Sequence, residues 1–87
     1  MANKEQLAIL RQGVEVWNKW REENPDIEID LRKARLNKVD LRKANFSRAI
    51  LSEAHLDKAN LSGANLANAY LTSAHLSETN LAEADLS

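Results

Sequence analysis

From residue 29 to residue 87 a large apolar side chain falls on every fifth position: Leu31, Leu36, Leu41, Phe46, Leu51, Leu56, Leu61, Leu66, Leu71, Leu76, Leu81 and Leu86. Two residues before each stands a smaller apolar residue, or once a threonine: Ile29, Ala34, Val39, Ala44, Ala49, Ala54, Ala59, Ala64, Ala69, Ala74, Thr79 and Ala84. Neither regular period accommodates this spacing. On an α-helix each residue advances about 100°, so the leucines would step by about 140° and leave no apolar face. On a continuous strand side chains alternate, and an odd spacing would send successive leucines to opposite faces. The pattern closes if each unit is a short extended piece followed by a turn, with the small residue and the leucine pointing the same way. The residue between them then points outward, and it is polar everywhere except at Ile50 and Tyr70. Corner pairs such as Arg32-Lys33, Ser52-Glu53 and Ser62-Gly63 are small or charged, as solvated turns are. Ala, Leu, Glu and Lys favour helix by propensity, but the burial pattern overrides it. The expected product is a coil filled by leucine and alanine, an all-β solenoid built from twelve repeats.

The runs Ala59-Asn60-Leu61-Ser62-Gly63 and Ala64-Asn65-Leu66-Ala67-Asn68 resemble the A(D/N)LXX unit of the pentapeptide-repeat proteins. The resemblance implies a right-handed, quadrilateral β-helix with four units per coil, hence about three coils. Residues 29–48 would form the first, 49–68 the second and 69–87 the third, with residues twenty apart stacked on one face.

Residues 1–24 read as one amphipathic helix. Asn3 is a candidate N-cap with Gln6 three positions on, and Asn24-Pro25 is a stop signal. Leu7, Ile9, Leu10, Val14, Val16, Trp17 and Trp20 project to one side and Lys4, Arg11, Glu15, Lys19, Glu22 and Glu23 to the other. A solenoid exposes unpaired edge groups and core side chains at each end. This helix is therefore expected to be the N-terminal cap, anchored by Leu10, Val14, Trp17 and Trp20, with Gly13 allowing close approach to the coil. The division is then 1–28 for cap and connector and 29–87 for the coil. A partner-binding helix is the alternative; four basic and four acidic residues argue against a membrane-surface helix. The segment from Gly13 to Ile27 looks like the one preceding short pentapeptide-repeat modules of cyanobacteria, a resemblance that carries no established activity.

Charge is graded along the coil. The first turn has seven basic residues against Asp30 and Asp40, the second Lys58 against Glu53 and Asp57, and the third only Glu78, Glu83 and Asp85. The third coil has no cover in the sequence, so Leu71, Leu76, Leu81 and Leu86 are a candidate interface, together with the outward apolar pair Ile50 and Tyr70. In resembling proteins C-terminal coils commonly pair into a two-fold dimer. Here that brings two acidic rims together, while head-to-tail stacking is blocked by the cap; a third option is that the chain belongs to a longer protein.

The chemistry-bearing residues read mostly as structural. His55 above Arg35 and below His75, beside Asp57, are ordinary outward residues, with a metal ion or a pH response as the alternative. Asn60 with Asn80 and Asn45 with Asn65 are expected to form supporting amide ladders. With no cysteine, no phosphate-binding glycine loop and no room for a pocket in a leucine-filled coil, neither catalysis nor a cofactor or metal is expected. The basic first coil lacks outward aromatics for stacking bases, which makes nucleic acid an unlikely partner. No targeting or membrane-spanning segment stands out, so a cytoplasmic protein is the expectation. The function expected is a non-catalytic protein-interaction or scaffold module that binds an unknown protein partner and forms a homodimer through its C-terminal coil. The alternatives are a DNA mimic binding topoisomerase, disfavoured by the short basic first coil, and a targeting appendage of a larger protein.

Overall fold

A computed structural model describes residues 1–87. The units wind into a coil whose register is set by parallel pairing between residues twenty apart. Asp30 pairs with Ile50 and Ile50 with Tyr70; Arg35, His55 and His75 form a second column, Asp40, Asn60 and Asn80 a third, and Asn45, Asn65 and Asp85 a fourth. Four five-residue units therefore complete each turn. Every pairing is a single bridge, so the expected all-β description needs correction: the regular elements are two N-terminal helices, and the coil has no multi-residue strand. A corner in every unit of five leaves one paired residue between corners.

Each unit makes three hydrogen bonds between coils. The Ile50 N–H donates to the Ile29 carbonyl at 2.9 Å, the Ile50 carbonyl accepts from the Leu31 N–H at 2.8 Å, and the Ser52 carbonyl accepts from the Lys33 N–H at 3.0 Å. The corner closes when the Ala34 N–H donates back to the Leu31 carbonyl at 3.1 Å. Its third residue, Lys33, has φ of 62°, and the same region recurs at Lys38, Lys43, Arg48, Glu53, Lys58, Gly63, Asn68, Ser73, Glu78 and Glu83. Positive φ at the third position alone is the type II signature. A residue with a Cβ loses roughly 1–2 kcal/mol there, yet only Gly63 is a glycine. Between adjacent coils the same corner residue donates its N–H to the next coil, as Lys33 does, which offsets the strain.

Inside, Leu31, Leu36, Leu41, Phe46, Leu51, Leu56, Leu61 and Leu66 are buried along with Ile29 and six alanines from Ala34 to Ala64. The third coil differs. Leu71, Leu76 and Leu81 are half-buried and Leu86 is 56% exposed, because no layer lies above them.

The N-terminal segment is two helices, α1 (Lys4–Arg11) and α2 (Val14–Glu23), rather than one. Asn3 caps α1, its side chain accepting from the Gln6 N–H at 3.0 Å, and α2 ends at Glu23, before Asn24 and Pro25. Gly13 breaks the helix with φ of 116°, a conformation L-residues avoid. A Cβ built there meets nothing within 4 Å, so the glycine serves the bend and not a close approach. The break also re-aims α2, and Val16, expected on the apolar side, is exposed. No helix is long and apolar enough to cross a membrane.

Leu61 lies wholly inside the middle of the stack. Leu61→Asp should abolish folding, since a buried carboxylate there has no partner; wild-type-like circular dichroism would contradict the inward placement. Gly63→Ala should destabilise by about 1 kcal/mol through its backbone conformation, lowering the melting temperature by several degrees. An unchanged melting temperature would show that the corner relaxes freely.

Candidate functional site

The two ends of the coil are chemically unlike. Toward the N-terminal end each unit presents one N–H and two carbonyls, and toward the C-terminal end two N–H groups and one carbonyl. The helices answer the first set with side chains. Gln6 acts as a substitute peptide: its Oε1 accepts from the Asp30 N–H at 2.8 Å and its Nε2 donates to the Glu28 carbonyl at 2.9 Å. The Asn3 N–H donates to the Asp30 carbonyl at 2.8 Å. On the Asn45 column, Asn18 Oδ1 accepts from the Asn45 N–H at 2.8 Å, while Trp17 Nε1 and the Arg21 guanidinium both donate to the Asn45 carbonyl at 2.9 Å. Arg21 also donates to the Ser47 carbonyl at 3.0 Å, and Arg11 to the Arg35 carbonyl at 3.0 Å. The N–H and carbonyl of Asp40 receive no such bond, and Asn18 Nδ2 reaches only the Lys43 carbonyl at the following corner, at 3.0 Å. There the bend leaves an open groove lined by Gly13, Val14, Val16, Asn18, Asp40 and Lys43.

Of the expected anchors, Trp17 and Leu10 are buried and Val14 and Trp20 half-buried. The Trp17 ring lies 5.8 Å from Phe46 and 5.4 Å from Trp20, centroid to centroid, so the one phenylalanine of the ladder packs against an indole of α2. Gln6, Asn18 and Arg21 are what reading the sequence missed. In sequence Gln6 reads as part of the Asn3 cap, yet both Gln6 and Arg21 lie four residues from a buried apolar residue, Leu10 and Trp17, and so on the same helical stripe. Buried polar residues on an apolar stripe were the available signal. Burial, and then the charge of Arg48, lowers the pKa of Arg21 from its ordinary value.

At the other end the N–H groups of Leu71, Ser73, Leu76, Glu78, Leu81, Glu83 and Leu86 and the carbonyls of Ala69, Ala74, Thr79 and Ala84 have no backbone partner. This edge carries partly exposed leucines beside the unpaired groups. The apolar pair lies on a separate side: Ile50 is half-buried, and Tyr70, 60% exposed, shares a shallow groove with Ile27, Arg21 and Arg48.

The outward polar residues cap corners. Asp30, Asp40, Asn45, Asn60, Asn65, Asn80 and Asp85 each accept, through Oδ1, from the N–H two residues on, at 3.0–3.2 Å. The expected amide ladders do not form, because these oxygens are committed to their own corners. Beside the histidines, which cannot reach back in this way, the coil below supplies the acceptor: Asn37 for the Asp57 N–H at 3.1 Å and Asp57 for the Ser77 N–H at 2.9 Å. His55 and His75 stack with ring centroids 4.7 Å apart and planes 2° from parallel. No group of three or more His, Asp or Glu side chains is gathered as a metal site.

Three carboxylates titrate below their ordinary value of 3.8: Asp30, chiefly through its hydrogen bond from Arg32, Asp40 through that from Arg42, and Asp85 through the Ser87 side chain. Depressed carboxylate values stabilise the folded state fully above the unfolded pKa, and that contribution is lost as pH falls through the folded values. The melting temperature should therefore hold from neutrality to about pH 4 and drop below it. Asp30→Asn keeps the corner acceptor but not the titration, so its acid fall should be shallower; an unchanged profile would remove Asp30 from the account. Gln6→Ala strands two backbone groups and should cost about 1–3 kcal/mol in denaturant unfolding. Trp17→Ala should cost about 3–5 kcal/mol and unfold or aggregate the protein, whereas a monomer with unchanged melting temperature would show the helices not to be a cap.

No curated protein sequence matches this chain. The family model described as pentapeptide repeats (8 copies) matches residues 27–63 and 49–87, which together cover the whole coil. The spacing of five, the Asp or Asn that caps its own corner and the twenty-residue register are the physical content of that match, and the chain belongs to the pentapeptide-repeat family.

Proposed function

We propose that this protein is a non-catalytic interaction module, a right-handed four-sided β-helix that associates with a second copy of itself through its third coil. The carrying observation is the C-terminal edge, where seven N–H groups and four carbonyls lack backbone partners around partly exposed leucines. The edge suits itself. Each of Tyr70, His75 and Asn80 is preceded by a free carbonyl and followed by a free N–H, and a two-fold operation sets each carbonyl opposite a partner N–H, as antiparallel pairing requires. Glu78, Glu83 and Asp85 oppose the contact by like-charge repulsion, which salt screens. Flat polar columns on the coil's sides, and the Tyr70 groove, are then left for a protein partner.

Light scattering after size exclusion, across protein concentration and at low and high salt, tests this reading. The expected result is a dimer that tightens as salt rises, and that Leu76→Lys disperses into folded monomers. A monomer at all concentrations and salts would exclude self-association.

A further inference from the structure

Five large apolar side chains stay exposed, and two of them, Ile27 and Tyr70, line one groove of about 380 Å³ on the side of the coil. Ile50, half-buried and bridged to Tyr70, lines it as well. Two arginines stand beside this apolar strip. Arg21 is buried, and both its Nη atoms donate to the carbonyls of Asn45 and Ser47. Arg48 is exposed and makes no ion pair; those of the molecule are Arg32–Asp30, Arg42–Asp40 and Lys58–Glu78. We propose that this groove docks an extended segment of a protein partner that carries a carboxylate and, two residues away, a large apolar side chain.

Charge identifies the occupant. Burial, and then the charge of Arg48, lowers the pKa of Arg21, and no carboxylate opposes either effect. Asp26 and Glu28 also line the groove, but neither pairs with Arg21 or Arg48. The charge of Glu28 acts instead on Arg32, whose pKa is raised chiefly by its hydrogen bond to Asp30 and least by Glu28. A carboxylate brought to Arg48 therefore meets a planar fork of N–H donors in the field of a second, buried cation. Asn68, exposed one level above, offers a side-chain amide.

Length and spacing follow from the stack. Residues 28, 48 and 68 mark three levels, so the groove runs about 10 Å at the spacing of paired strands. An extended chain covers that in about three residues, with the first and third on one face. One meets Arg48 and the other the Ile50–Tyr70 pair. Arg and Tyr are the residue types that carry most binding energy in protein interfaces. A wholly apolar segment would cover Arg48 without pairing it, which selects against such partners.

The proposal rests on the reading of the protein as an interaction module, and not on its self-association. The test is a titration of the intact, isotope-labelled protein with the blocked peptide acetyl-Ala-Asp-Ala-Leu-Ala-amide, followed by backbone amide NMR shifts. The expected result is saturable, one-to-one binding with shifts centred on Ile27, Arg48, Ile50, Asn68 and Tyr70. Peptides with Asn in place of Asp, or Ala in place of Leu, should bind roughly tenfold more weakly, the loss expected for one charge-assisted hydrogen bond or one buried leucine. Arg48→Gln and Tyr70→Ser alter exposed side chains, leave the fold intact and should each weaken the Asp-Leu peptide by a similar factor. No shift at millimolar peptide, equal binding of the Asp and Asn peptides, unchanged binding in Arg48→Gln, or shifts led by Lys33, Lys38 and Lys43 at the other corners would overturn the proposal. Light scattering on the same samples separates the two readings. Groove binding by a monomer removes self-association alone, and a dimer whose groove residues do not shift removes this proposal alone.

Discussion

Everything in this molecule depends on parallel backbone pairing at an interval of twenty residues. That interval brings Ala and Leu of every unit to the interior and turns every fourth outward residue into a stacked neighbour. It also requires a tight corner in each unit, and the corner requires positive φ at its third residue. Ten side-chain-bearing residues adopt that conformation. Their tolerance shows how strongly the pairing dominates local preference, since in adjacent coils the N–H so oriented is what bonds the next coil. Asp and Asn at the outward position follow from the same geometry, because they cap the corner N–H that faces solvent.

A stack has two ends, and the polarity of the peptide group makes them different. The N-terminal edge is rich in acceptors, and the helices meet it with donors from Trp17, Arg21, Arg11 and the Asn3 backbone, adding Gln6 and Asn18 where an N–H also needs a partner. The C-terminal edge is rich in donors and carries acidic side chains without such a complement. The fall in burial from Leu66 to Leu86 follows this asymmetry.

The coil was legible in the sequence because burial acts at one fixed period, and Leu31 to Leu66 are individually recoverable from it. The corners were less so. Ten non-glycine residues disguise a conformation that Gly63 and Asn68 alone hinted at. At the N-terminal end helical projection puts Leu10 and Trp17 on the apolar side, where they are buried, but it also puts Val16 there and suggests a close approach at Gly13, whereas Gly13 is a break that leaves Val16 exposed. Gln6 and Arg21 lie on the apolar stripe, which signals their burial, but their partners are backbone groups more than twenty positions away, which local patterning does not name. The amide ladders failed because a short side chain finds its own backbone sooner than its neighbour's amide.

The central claim is that the helices replace a missing coil one hydrogen bond at a time. Amide hydrogen exchange resolved by residue tests it most directly, because within the first coil the four outward N–H groups are chemically alike and only two are answered. The account predicts slow exchange at Asp30 and Asn45, whose N–H groups meet Gln6 and Asn18, and fast exchange at Arg35 and Asp40, whose N–H groups meet nothing. Equal protection at all four positions, or fast exchange at Asp30 and Asn45, would contradict it.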